Sequence, residues 1–376
     1  MASRSLPSAR LLAARDVGPS SILQPGPGHV TVVGPTGADQ LAAAALLRDA
    51  VAWNRPLALI ADEPGAALPA PPVEPGLIFF SSGTTGIPRA HHRGWPALLA
   101  EASPHGSADD RFLLTFNLAR YAGLQVILHC LRHGSSIVVP ASLRDAAAIV
   151  AAGAEHGATH LSVTPSLVKR LVQLDAPAAL RDLRQITLGG EHASQATLDL
   201  VRRCWPAVRI TTIYASSEGG ASFTASDDRE GFPAAQLAAG RDGRRGELGH
   251  DGELIVHLAD GRTLHTGDHF EAAGDRILFR GRREDMINVG GYKVSPARVE
   301  RVILGVAGVE ECRVIGRLSP VLGEVVTAEI VGSVDMAALR AVCRAELARP
   351  EVPVTIRQVE SLPLSAAQKL VRTEAA

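Results

Sequence analysis

Leu77-Ile78-Phe79-Phe80-Ser81-Ser82-Gly83-Thr84-Thr85-Gly86-Ile87-Pro88-Arg89 changes character in its middle. The apolar residues that follow Pro75-Gly76 predict a short buried strand, and the hydroxyl- and glycine-rich run after them predicts a loop that handles phosphate. Glycine lets backbone approach an anion closely, Ser and Thr hydroxyls donate to its oxygens, and Arg89 can neutralise charge. A plain Gly/Ser/Thr surface turn has the same composition, so the rest of the chain must decide. This is not a Walker loop: no Gly-Lys-Ser/Thr follows at the required spacing, which sets aside a phosphate-loop kinase or GTPase.

Outward from this stretch, strands and helices alternate. His29 to Gly34, Pro56 to Asp62, Arg111 to Asn117, Ser135 to Val139, His160 to Thr164, Leu183 to Leu188 and Val208 to Tyr214 read as strands. Between them, Ala38 to Asn54, Trp95 to Ala102, Tyr121 to His133, Leu143 to His156, Ser166 to Leu174 and Ser194 to Trp205 read as helices. That alternation predicts a mainly parallel, doubly covered α/β sheet, whose ligands sit at the carboxyl ends of strands. Three strand exits are rich in Gly and polar residues: the Ser/Thr/Gly loop, Gly189-Gly190-Glu191-His192, and Tyr214-Ala215-Ser216-Ser217-Glu218. On one sheet edge they would make a site. Gly34-Pro35-Thr36-Gly37 reads as an ordinary strand-to-helix turn.

From Gly246 the texture changes to short β segments (Gly252 to His257, Arg262 to His265, Arg276 to Arg280), followed by the polar, glycine-paired run Gly281 to Pro296. A small α+β unit follows, with helices at Ala297 to Leu304 and Met336 to Leu347 and strands at Cys312 to Ile315 and Val325 to Val331. The boundary is expected near Gly281 to Asp285, giving a large domain 1–281 and a small mobile domain 282–376.

Bulk composition excludes several classes. The 376 residues carry a net charge of -1, which gives no electrostatic case for a nucleic-acid or anionic-membrane partner. No apolar run reaches the ~18 residues of a membrane helix. Cys130, Cys204, Cys312 and Cys343 are scattered without a C-x-x-C pair, as in a reducing compartment, so a soluble cytoplasmic protein is expected. Among 38 basic residues only Lys169, Lys293 and Lys369 are lysines. A chain that otherwise uses arginine is either indifferent at those positions or needs a compact, flexible ammonium there.

Taken together, SSGTTGIPR (81 to 89), GGE (189 to 191), YASSE (214 to 218), HTGD (265 to 268) with GRREDMINVGGYKVSPARVE (281 to 300), and LPLSAAQKLVR (362 to 372) resemble the ordered motifs of the AMP-forming adenylating enzymes. That superfamily includes acyl- and aryl-CoA ligases, luciferases and peptide-synthetase adenylation domains, and this chain looks like a short stand-alone member. The resemblance implies that Ser81, Ser82, Gly83, Thr84, Thr85, Gly86 and Arg89 close on the β- and γ-phosphates of ATP. Gly189, Gly190 and Glu191 would wall the adenine slot, with Tyr214 stacking on its other face. Ser217 would bind the α-phosphate and Glu218 would hold Mg²⁺. Asp268 would accept from the ribose hydroxyls, reinforced by Arg282. Lys369 would bridge the substrate carboxylate and the phosphate, offsetting repulsion between two anions. Glu284 falls at the hinge about which the small domain rotates between half-reactions, and Gly290 and Gly291 at the tunnel of the thiol acceptor.

The chain departs from the family pattern in places. Arg89-Ala90 stands where Lys-Gly is usual, Ala215 replaces a glycine after the tyrosine, and Gln368 precedes the lysine. Arg120, Tyr121 and Gly123 occupy the acyl-pocket segment, where an arginine would suit an acid with a second polar or anionic group. Fewer than about eighty residues precede the phosphate loop, so the first subdomain is expected to be reduced. The function this implies is activation of a small aryl or acyl acid with MgATP, then transfer to coenzyme A or a carrier protein's phosphopantetheine. The rival is a catalytically impaired relative that holds AMP or acyl-adenylate without turnover.

Overall fold

The computed structural model describes residues 10–13, 29–34, 36–61, 73–81, 89–216, 220–240, 244–258, 261–319, 322–365 and 369–372. The fold is α/β, as the alternating pattern implies, and the chain divides into two compact units. One comprises Met1–Glu191 with Leu200–Asp228, the other His192–Asp199 with Arg229–Ala376.

The first unit holds two sheets rather than one. A seven-stranded sheet runs in the order Arg10–Ala13, Ser136–Val139, Arg111–Leu113, His160–Val163, Gln185–Gly189, Arg209–Ser216, Gly220–Ala225. All its pairs are parallel except the last, where Tyr214 faces Phe223 across an antiparallel hairpin. A four-stranded sheet runs His29–Val33, Pro56–Ala61, Gly76–Ser81, Arg89–Arg93, again parallel until its last, antiparallel pair. The expected single edge is therefore corrected: the strand leading into the Ser/Thr/Gly stretch belongs to a different sheet from the strands before Gly190 and Ser217. Hydrophobic pattern identifies a buried strand but not the sheet it joins.

The helix Gly37–Ala52 touches strands of both sheets, Pro56–Ala61 and Ser136–Val139 among them. A helix covered on several sides cannot carry a single apolar stripe, and here small side chains permit the close approach: Ala43, Ala44, Ala45, Leu47 and Ala50 are all buried. Its N-terminus is closed by the chain itself. Thr36 Oγ1 accepts from Asp39 N at 3.2 Å, and Gly37 N donates to Ala141 O at 2.8 Å, so the protein itself caps these first N–H groups.

The second unit begins with a five-stranded antiparallel sheet in the order Phe232–Pro233, Arg276–Arg282, Thr263–Ala273, Glu253–His257, Arg245–Leu248. A second sheet follows in the order Tyr292–Val294, Ile287–Val289, Gly323–Gly332, Val309–Ser319, with Thr355–Gln358 added in parallel to Gly323–Gly332. The helices Pro296–Leu304 and Met336–Glu346 cover it, burying Val299, Ile303, Leu339 and Cys343 against Val314, Val326, Ala328 and Ile330. The second unit thus includes the β segments upstream of 282, so the compact units do not coincide with the 1–281 and 282–376 division. Among the described residues no helix is long and apolar enough to cross a membrane.

Candidate active site

The strands on either side of the Ser/Thr/Gly stretch pair antiparallel. Leu77 and Phe79 are buried and anchor the strand Gly76–Ser81, which turns back as Arg89–Arg93 with Ser81 opposite Arg89 and Phe80 opposite Ala90. Ser82, Gly83, Thr84, Thr85 and Gly86 lie outside the described residues, and Ser81 and Arg89 are described in backbone only. The return strand was not expected: RAHHR carries no apolar alternation because it lies at the sheet edge. His91 rests on the Phe79 ring at 5.5 Å, while His92 is exposed.

In the seven-stranded sheet, Gly189 pairs with Ile213, so Gly190-Glu191 and Tyr214 leave adjacent parallel strands. Tyr214 stacks on Phe223 with ring centroids 6.1 Å apart, and Ala215 beside it is exposed. The strand runs on through Ser216, and the residues beyond, Ser217 and Glu218, are outside the described set. Gly190 takes φ +80, a conformation suited to glycine. Glu191 braces the fold, since its Oε2 accepts from Ser166 N at 2.9 Å. Thr164 Oγ1 accepts from Leu167 N at 3.1 Å, and Pro165 has no N–H, so the first turn of the helix Pro165–Gln173 is capped. Glu191 therefore fixes the glycine turn against a helix end rather than presenting a free carboxylate.

Arg120, Tyr121 and Gly123, expected at an acyl pocket, divide by what they touch. Arg120, half-buried, brings Nη1 to 3.5 Å from Phe80 O, at the root of the phosphate loop. Tyr121 is a core residue, buried against Phe79, and its hydroxyl donates to Glu101 Oε2 at 3.0 Å. Gly123 has a packing reason to be glycine: a Cβ there would collide with the carbonyls of Asn117 and Phe116. Of these residues, Arg120 alone presents chemistry beyond packing.

In the second unit, the Thr266-Gly267-Asp268 segment is not an isolated turn but part of the long strand Thr263–Ala273, whose pairing shifts register on both sides. Gly267, at φ +69, is gripped at both backbone atoms: its N donates to Glu253 Oε1 at 2.9 Å, and its O accepts from Arg283 N at 2.8 Å. Thr266 Oγ1 donates to Leu254 O at 2.7 Å and accepts from Asp268 N at 3.1 Å. These contacts hold Asp268, only 3% exposed, opposite Arg282, whose Nε stands 2.8 Å from Asp268 Oδ1 in an ion pair. Arg282 also lies 3.4 Å from Glu284, and Arg283 pairs with Asp251 at 2.7 Å and Glu253 at 3.3 Å. The Asp268 carboxyl and the half-exposed Arg282 guanidinium thus stand side by side as acceptor and donor.

Gly290 and Gly291, at φ +57 and +90, turn the hairpin between Ile287–Val289 and Tyr292–Val294. A Cβ at Gly291 would meet nothing within 4 Å, so its backbone conformation is itself a sufficient reason for glycine. Lys369 is exposed at the foot of a second small hairpin, where Leu364 bridges Leu370 and Ser365 N donates to Lys369 O at 2.7 Å. Burial pushes the Asp285 carboxyl up from its ordinary range, against the opposing pull of Arg372 and Arg282. Glu253, Arg283, Glu300, Arg313 and Arg372 were not singled out from the sequence. Their partners are distant in the chain, and the Glu253 beside Leu254 looks like any polar strand position.

The α/β architecture in two compact units agrees with the class that the family matches define. The chain belongs to the AMP-forming adenylating enzymes: a family model described as AMP-binding enzyme matches residues 16–257, and one described as AMP-binding enzyme C-terminal domain matches residues 298–369. It is 30% identical over 358 residues to a sulfoacetate–CoA ligase of Cupriavidus necator, covering 82% of this chain and 68% of that one. To a 3,4-dihydroxybenzoate–[aryl-carrier protein] ligase of Bacillus anthracis it is 25% identical over 312 residues, covering 80% of this chain and 73% of that one. Among solved structures, the amide bond synthetase McbA of Marinactinospora thermotolerans superposes with a TM-score of 0.68 at 20% identity, covering 97% of this chain and 96% of that chain. The anthranilate CoA ligase AuaEII with anthranoyl-AMP gives a TM-score of 0.68 at 17% identity, covering 97% and 86%.

Proposed function

We propose that this protein is an AMP-forming acid–thiol ligase. A carboxylate oxygen of a small aryl or acyl acid attacks the α-phosphorus of ATP, the bond to the bridging oxygen breaks, and pyrophosphate leaves. A thiolate of coenzyme A or of a carrier protein's phosphopantetheine then attacks the acyl carbonyl, and AMP departs. The observation that carries this reading is Asp268, buried and ion-paired with Arg282 on a segment held at both backbone atoms of Gly267. A carboxylate so fixed suits recognition of a ribose. Mg²⁺ would be held by Glu218, where it neutralises phosphate charge.

The residues then take these roles. Ser81 to Arg89 cradle the outer phosphates, Ser217 the α-phosphate, and Gly189, Gly190 and Tyr214 the adenine. Lys369 bridges the acid and the α-phosphate, and Glu284 serves as hinge between domains 1–281 and 282–376, in the stretch between the two family matches. Arg120 beside Phe80 O supports an acid with a second anionic group, as sulfoacetate and 2-succinylbenzoate have; relatives acting on both are similar to this chain. Free thiols at Cys130, Cys204, Cys312 and Cys343 support a cytoplasmic setting.

The test is pyrophosphate release from MgATP with sulfoacetate, 2-succinylbenzoate, 3,4-dihydroxybenzoate and anthranilate, with and without coenzyme A, read alongside product mass. Release dependent on one acid is expected, with a thioester appearing when the acceptor is present. The Lys369→Ala variant should lose acid-dependent release yet still use preformed acyl-adenylate. AMP binding with no acid-dependent release over the panel would instead favour a binding-only relative.

A further inference from the structure

We infer that Arg372, seated on Glu300, is a positioning residue that holds Lys369 for adenylation. This rests on the reading of Lys369 as the cation that bridges acid and phosphate. Among the described residues, the backbone around Lys369 is held locally by one bridge between Leu364 and Leu370, the Ser365–Lys369 backbone bond, Lys369 N donating to Ser365 Oγ at 3.2 Å, and Val371 N donating to Pro363 O at 3.0 Å. Backbone pairing on that scale alone does not hold a segment in water.

Three residues beyond the lysine, the chain is clamped. The Arg372 guanidinium forks onto Glu300, Nη1 to Oε1 at 2.6 Å and Nη2 to Oε2 at 2.9 Å. Glu300 is 8% exposed on the helix Pro296–Leu304, and its Oε1 also accepts from Val314 N at 2.9 Å, so the receiving carboxylate is fixed between helix and sheet. One residue nearer, Arg313 Nη1 donates to Val371 O at 2.8 Å while its Nε donates to Glu329 Oε2 at 3.0 Å. Arg372 Nε also lies 4.0 Å from Asp285 Oδ2, next in sequence to Glu284. The anchor of the lysine arm thus reaches the proposed hinge. A flexible side chain such as lysine delivers its ammonium well only if its own backbone is held, because small misplacements of a bridging group cost rate steeply. A forked arginine–carboxylate pair provides both direction and strength at that point.

The test uses the lysine scarcity. Lysyl endopeptidase can cut this chain only after Lys169, Lys293 and Lys369. In Arg372→Met and Glu300→Gln, release of 370–376 should accelerate at least ~10-fold while cleavage at the other two lysines changes less than ~2-fold, because only the local opening has become easier. Acid-dependent pyrophosphate release should fall roughly 10- to 100-fold in kcat with the KM for ATP little changed. Thioester formation from preformed acyl-adenylate should be unaffected, and Arg372→Lys, which keeps charge without the fork, should recover part of the loss.

In a Lys369→Ala background, Arg372→Met should cost nothing more. Unchanged release of 370–376 in both variants would overturn the anchor. A further loss in the lysine-free background would overturn its action through Lys369. If Lys369→Ala alone leaves adenylation intact, the role given to the lysine fails, whereas the protease result still judges the clamp. Should Arg372→Met not fold, Glu300→Gln carries the protease comparison, and Arg372→Lys, which adds a cleavage site at 372, carries the kinetic one alone.

Discussion

Removing the Glu253 side chain should damage ATP binding from a distance. Its Oε1 accepts from Gly267 N at 2.9 Å, and its Oε2 sits 3.3 Å from Arg283 and 3.5 Å from His265, so the carboxylate is both acceptor and counter-charge. In Glu253→Ala, Gly267 N loses a charge-assisted bond worth ~1.5–3 kcal/mol in a buried setting. If that energy is lost from the conformation that presents Asp268, ATP affinity drops about 10- to 150-fold, at ~1.4 kcal/mol per decade. Glu253→Gln still offers Gly267 an oxygen but no charge to Arg283, so a smaller loss is expected. Calorimetric titration with ATP, paired with a melting curve, reads the effect, with Asp268→Ala as reference. Glu253→Ala with a lowered melting temperature but wild-type affinity would refute the argument and leave Glu253 a sheet-stabilising residue. Unchanged affinity in Asp268→Ala as well would remove the ribose role itself.

Further outcomes follow from single contacts. Gly291→Ala should cost ~1–2 kcal/mol of stability through its φ of +90, with Gly291→Asn milder; thioester transfer lost without any change in melting would instead point to a tunnel-lining glycine. Tyr121→Phe removes the bond to Glu101 and should lower stability by ~1 kcal/mol while leaving pyrophosphate release unchanged; a raised KM for the acid at constant melting would contradict its core placement. Denaturation midpoints should fall as pH drops from 7 to 4. Burial, with His133, His160 and Arg132 nearby and only Asp110 opposing, lowers His129 from 6.5 to about 4, so the folded state resists its protonation and stability is full above 6.5 and lost toward 4, by at most ~3 kcal/mol. Glu230 acts in the same direction further down: burial would raise its carboxyl, but His192 and Arg301 outweigh that and lower it from 4.5 to about 2, giving stability present above 4.5 and lost as pH falls toward 2. A midpoint flat between pH 7 and 4 would contradict the His129 assignment.

How much of this was legible in the chain depends on whether the determining contact is local. The helix Tyr121–His133 matches its expected bounds because its apolar period and the following Gly134, at φ +71, are local signals. The strands Arg89–Arg93, Gly220–Ala225 and Ile287–Val289 were missed because they are polar, short, or created by a hairpin whose turn residues were read for chemistry instead. The Ser/Thr/Gly loop, the Thr-Gly-Asp segment and Lys369 stand out in the sequence because their residue types suit the proposed chemistry. What holds them was not: Glu253 meets Gly267 across 14 residues, and Arg372 meets Glu300 across 72.

This asymmetry has a physical origin. A group that touches substrate must have a particular charge or hydroxyl, which a sequence displays; a group that orients it needs only an ion-pair partner, and any Arg or Glu looks suitable until the fold pairs them. In this chain that matters most at Lys369, an exposed residue whose neighbours Val371 and Arg372 are bound by Arg313 and Glu300, with Arg313 in turn paired to Glu329. If those pairs set the position of the lysine arm, the choice of arginine at 313 and 372 is functional, because lysine at either position lacks the planar fork that fixes direction.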